Sequence, residues 1–110
     1  MLNPRMQSDR QAPIRVEIDE SLKHLIPGFL ENRRKDIEKI RLALGQAEFP
    51  TIQTLGHRMK GDGGGYGFDG IGDIGAALEL AAARRDRDSI ERQLAKLVEY
   101  LDRIHITYVA

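Results

Sequence analysis

The sequence predicts an all-α fold, an antiparallel four-helix bundle with a short additional helix at its N-terminal end. Three observations lead there. Apolar residues recur at helical spacings of three and four along most of the chain, and no strand alternation stands out. Pro and Gly cut this pattern into four substantial segments joined by short connections, which favours antiparallel neighbours. A chain of 110 residues, 41% apolar and 31% charged, has the make-up of one globular domain with one core.

Residues 1–13, MLNPRMQSDRQAP, are polar and carry Pro4 and Pro13. They read as a flexible tail ahead of a domain spanning 14–110. A short first helix is expected near Asp19, which can cap it, with Leu22, Leu25 and Ile26 on one face. Pro27-Gly28 interrupts it, or Pro27 opens the next helix. That second helix runs to about residue 44, with Leu30, Ile37 and Leu44 inward and ENRRKDIEK as a solvated face; Gly45 stops it. The third begins near Pro50 and buries Ile52, Leu55 and Met59, then frays near Gly65. Asp69 or Asp73 opens the fourth, with Ile71, Ile74, Leu78 and Ala81–Ala83 inward. The fifth opens at Asp88, where Asp88-Ser-Ile-Glu91 fits a capping box. Its stripe is Ile90, Leu94, Leu97, Leu101, Ile104 and Tyr108.

Composition excludes several functions. Lys plus Arg and Asp plus Glu are each 17, so the chain is neutral and ill suited to nonspecific nucleic-acid binding. With no Cys there is no disulfide, thiolate metal site or thiol nucleophile. His24, His57 and His105 are dispersed, which argues against an imidazole zinc site. No apolar run has membrane-spanning length and residues 1–13 lack the apolar block of a signal peptide, so a cytoplasmic protein is expected. Met1 and the leading tail favour a separate protein over a piece of a larger one.

On a helical wheel of the third helix, Ile52, Leu55, Met59 and Tyr66 share a narrow arc. His57 falls almost opposite, with Gln53, Lys60, Gly61 and Gly64 on its side. An imidazole facing solvent, an ammonium one turn on, and a surface stripped bare by glycine suit a nucleophile that another protein must reach. Neutral imidazole can attack an activated phosphoryl group, and a lysine can offset the phosphate charge. Most of the 11 glycines fall in 61–75. Within a helix each costs on the order of 1 kcal/mol relative to Ala, so either something approaches that backbone or the helix gives way to a loop. Gly65-Tyr-Gly67-Phe-Asp-Gly70 matches G-x-G-x-x-G literally, but no strand precedes it, and nucleotide binding is rejected. His24 and His105 read as packing or surface residues.

The run TLGHRMKGDGGGYGFDGIGDIGAALELAAARRD resembles the histidine-containing phosphotransfer (HPt) domains of bacterial multistep phosphorelays. His57 matches the phosphorylated histidine, Lys60 and Gly61 the lysine and glycine that follow it, and Gly67 the glycine closing the central hairpin. Leu78-Glu79 resembles the next helix, and Phe29-Leu30-Glu31 with Asp36 the preceding one; the similarity covers about residues 20–103. Asp62 departs from the pattern, standing where a small residue is usual, and Gly56 with Gly63–Gly65 adds flexibility. The resemblance implies a phosphocarrier without autokinase activity or ATP site. His57 would exchange phosphoryl groups with receiver-domain aspartates of response regulators or hybrid kinases, Nε2 being the attacking atom. Lys60 would offset charge, while Gln53, Gly61 and Gly64 would serve docking over the second and third helices. No cofactor is expected, Mg²⁺ arriving only with the receiver, and the protein is expected to be a monomer that binds neither nucleic acid nor membrane. The alternative is a helical bundle that binds a response regulator without carrying phosphate.

Overall fold

The computed structural model describes residues 12–110. Residues 1–11, most of the expected tail, lie outside the described residues. Four helices form the bundle: α1 (Ile26–Gly45), α2 (Phe49–Tyr66), α3 (Asp69–Ala83) and α4 (Arg87–Arg103). α2 packs on α1 and α3, and α4 closes the ring by packing on α3 and α1. The inward stripes merge into one core, with Ile40, Ile52, Met59, Phe68, Ile71, Leu78, Ile90 and Leu97 essentially inaccessible.

Each inter-helix turn uses the same backbone device. Glu48, Phe68 and Asp86 return their N–H to Ala43, Gly63 and Ala81 carbonyls, while Ala47, Gly67 and Arg85 bond to Leu44, Gly64 and Ala82. This is the Schellman closure, which needs a left-handed residue. Gly67 supplies one at φ 92°, and Ala47 and Arg85 adopt φ 55° despite their side chains. The α4 cap lies two residues earlier than expected. Asp86, not Asp88, accepts from the Ser89 N–H at 3.1 Å.

The N-terminal element differs from expectation. Residues 20–25 form a 3-10 helix, with Asp19 accepting from the Ser21 N–H at 2.8 Å. Leu25, expected on the inner face, is exposed. Pro27 sits in the first turn of α1, where its missing N–H costs nothing.

The sequence reading also missed two strands. β1 (Ile14–Asp19) pairs in parallel with β2 (Ile104–Val109), in register from Ile14↔Ile104 to Asp19↔Val109. Ile14, Val16, Ile18, Ile104, Ile106 and Tyr108 turn toward the core, and the intervening residues are exposed. Ile104 and Tyr108 therefore continue the buried stripe as strand residues, and His105 points outward from β2. Arg103 secures the junction, donating to the Ala12 carbonyl at 2.9 Å and to Glu99 at 2.7 Å.

The charged segment of α1 is not wholly solvated. Arg33 is 8% and Asp36 7% exposed, joined at 2.9 Å, and the Arg33 guanidinium lies over the Phe29 ring. Phe29 stacks in turn on Phe68 and meets the Tyr66 ring at a tilt. Removing one partner of a buried ion pair strands the other charge. Arg33→Ala is expected to lower the unfolding free energy by about 3 kcal/mol in a denaturant titration. A loss below about 0.5 kcal/mol, the range of an ordinary surface change, contradicts that assignment.

Candidate functional site

α2 does not fray among its glycines but continues to Tyr66, because four glycines of the central hairpin do packing work. A Cβ on Gly56 would stand 2.7 Å from the Glu79 nitrogen, and one on Gly75 would stand 2.4 Å from the Lys60 nitrogen. A Cβ on Gly63 would stand 2.5 Å from the Gly72 nitrogen, and one on Gly72 would meet Gly64 and Lys60 backbone at 3.4 Å. These pairs lie about equidistant from the turn at Gly67, so α2 and α3 meet backbone to backbone. Gly56 and Gly63, read from sequence as added flexibility, form a rigid seam instead. The helical cost of glycine is offset by dispersion contact along that seam. Gly61, Gly64 and Gly65 are different, since added Cβ atoms there would meet nothing within 4 Å. They leave the outer surface of α2 bare.

The seam brings a carboxylate under the imidazole. His57 stands on the outer crest of α2 with its side chain 66% exposed. Its Nδ1 lies 2.7 Å from Glu79 Oε2, and Lys60 Nζ donates to Glu79 Oε1 at 3.1 Å. The Lys60 hydrogen bond first, and the His57 contact second, hold the Glu79 carboxyl below its ordinary value of 4.5. Glu79 is therefore ionised near neutral pH and can only accept. Nδ1 must then carry the proton, which leaves the lone pair of the neutral ring on Nε2. The result is an imidazole with a fixed tautomer on an open surface, an arrangement able to act as a nucleophile.

The other expected site residues are less tightly grouped. Gln53 is exposed one turn before His57 and lines a shallow groove with Phe49, Pro50, Ala82, Ala83 and Arg85; it makes no hydrogen bond to the ring. Asp62, the departure from the family pattern, is half exposed and reaches Arg33 at 3.9 Å. The segment 65–70 is the end of α2, a turn and the start of α3, with no strand before it.

Glu79 is the residue that sequence reasoning missed as a site member. Two signals pointed to it. It is the only charge between Asp73 and Arg84, and it stands about as far beyond the hairpin turn as His57 stands before it. Residues level across a helical hairpin meet when glycine lets the helices close.

Among the described residues no three His, Asp or Glu side chains gather as a metal site, and no helix is long and apolar enough to cross a membrane. Comparison with protein families gives a match to the Hpt domain over residues 24–106, about three quarters of the chain. No curated protein and no solved structure matches.

Proposed function

Since the chain belongs to the Hpt domain family, whose members carry phosphoryl groups on histidine and exchange them with receiver domains, we propose that His57 is its phosphoryl acceptor. A receiver phospho-aspartate delivers the group, and a second receiver removes it. The observation that carries this reading is the Nδ1 contact with Glu79, on a side chain two-thirds open to solvent.

Nε2 of His57 attacks phosphorus, a P–N bond forms, the acyl P–O bond breaks, and the aspartate leaves as a carboxylate. Nδ1 keeps its proton, so the product ring is a cation. Glu79 stabilises that cation as it forms, the same logic by which a carboxylate supports a catalytic imidazolium. Lys60 has three donors, one of them committed to Glu79, and the others can meet phosphoryl oxygens. The bare surface at Gly61 and Gly64 admits the receiver's backbone. Mg²⁺ arrives with the receiver, and the protein works as a cytoplasmic monomer.

Glu79→Ala is expected to slow transfer roughly 10- to 100-fold. That is the kinetic equivalent of one lost charge-assisted hydrogen bond. Glu79→Gln, whose amide oxygen can still accept from Nδ1–H, is expected to lose less. A folded pKa lowered below 4.5 means the Glu79 pairing is fully present above that pH and is lost as pH falls through the lowered value. Transfer is thus expected to need no Glu79 titration near neutrality. An unchanged rate in Glu79→Ala removes Glu79 from the mechanism.

The direct test is incubation with a panel of phosphorylated receiver domains, followed by mapping of the acid-labile phosphate. Label on His57 supports the reading. A bundle that only binds a receiver would take up none.

A further inference from the structure

On the flank of α2 opposite Glu79, a cleft of about 330 Å³ opens between α1 and α2. Its lining is predominantly charged: Arg33, Lys35, Lys39 and Arg58, with Asp36 and Asp62. The two acids are already engaged by Arg33, at 2.9 and 3.9 Å. Among the described residues, Lys35, Lys39 and Arg58 have no carboxylate within 4.0 Å; Arg84, Arg85, Arg92 and Lys96 have none either, but Lys35, Lys39 and Arg58 line one cleft beside His57. The cleft thus holds two positive charges in excess on a chain whose net charge is zero. Its floor is fixed, because Arg33 is clamped between the Phe29 ring and Asp36. Arg58 is the immediate neighbour of His57. Three unpaired cations around one cleft repel one another, and an anion placed among them relieves that cost.

We infer that this cleft receives an acidic loop of the receiver that docks on His57, and that Lys35, Lys39 and Arg58 select among receivers. The inference rests on receiver docking at His57. The phospho-aspartate that His57 meets is itself an anion, so the docking surface carries negative charge at its centre. Charge complementarity beside His57 therefore steers the right surface into register and repels basic ones.

The test uses isolated receiver domains phosphorylated with acetyl phosphate and Mg²⁺, first screened for those that label the wild-type protein. Transfer from these is then followed to a Lys35→Glu/Lys39→Glu/Arg58→Glu variant, at about 25 mM and about 500 mM NaCl. At the lower salt the variant is expected to be at least about tenfold slower at subsaturating concentration. At the higher salt, where screening acts within about 4 Å, the gap narrows to about threefold or less. Arg92→Glu/Lys96→Glu on α4, whose main packing partners are α3 and α1, is expected to keep the wild-type rate, and circular dichroism checks that both variants fold. Equal rates for the triple variant and wild type, a loss indifferent to salt, or an equal loss in the α4 variant each overturn the cleft. If no receiver labels the wild type, the proposed function falls and the cleft assignment falls with it. Wild-type labelling with an unaffected triple variant sinks the cleft alone.

Discussion

His57→Gln is expected to fold as the wild type does and to accept no phosphoryl group. The side chain is two-thirds exposed and its one polar partner is Glu79, so the change in stability should stay within about 0.5 kcal/mol. Glutamine can still lie against Glu79, but its amide nitrogen has no lone pair available to attack phosphorus. Thermal unfolding checks the first half of this expectation. Acid-labile phosphate recovered after incubation with phosphorylated receivers checks the second. Label on the His57→Gln protein would place the acceptor elsewhere and remove the premise of the mechanism.

Gly75→Ala should be the most damaging small substitution in the hairpin. Alanine is the better helix former by about 1 kcal/mol, and at an open position that gain would dominate. At Gly75 the new methyl would stand 2.4 Å from the Lys60 nitrogen and 2.8 Å from the Gly56 carbonyl oxygen. Both are backbone atoms that cannot swing aside, so the helices must separate. Overpacking of this kind costs about 1–3 kcal/mol or more, and we expect a net loss of about 2 kcal/mol. Separation also draws Glu79 away from His57, so phosphoryl transfer should slow together with the loss of stability. Gly61→Ala, with no neighbour within 4 Å, should instead gain stability. A Gly75→Ala protein that melts at or above the wild-type temperature would show that the seam is not closed.

The helices and His57 were legible for one reason: a period near 3.6 sorts residues onto faces without knowledge of partners. Ile52, Leu55 and Met59 on one side of α2, and His57 on the other, follow from spacing alone. The strands were illegible for the converse reason. Leu101, Ile104 and Tyr108 satisfy helical spacing, yet 104, 106 and 108 equally satisfy strand alternation. The choice is made by pairing with β1, some ninety residues earlier, and no local window contains that partner. Arg33 and Asp36 read as surface because each is charged; only the fold shows them neutralising one another beneath Phe29. The glycines divided in the same way. Sequence identifies them as absent side chains, but whether that space is filled by a neighbouring helix or left to a visitor depends on which way each faces. Glu79 was hidden behind that question, since its approach to His57 depends on Gly56 and Gly75 facing inward.

The parallel ladder has a mechanical consequence. Ile14 begins one strand where Ile104 begins the other, so the polypeptide enters at one end of the ladder and departs at the far end. Tension applied between the two ends therefore slides the strands past each other and loads their bonds together, where a hairpin would unzip one bond at a time. Force transmitted along the backbone meets that clasp before it reaches the helices it encloses.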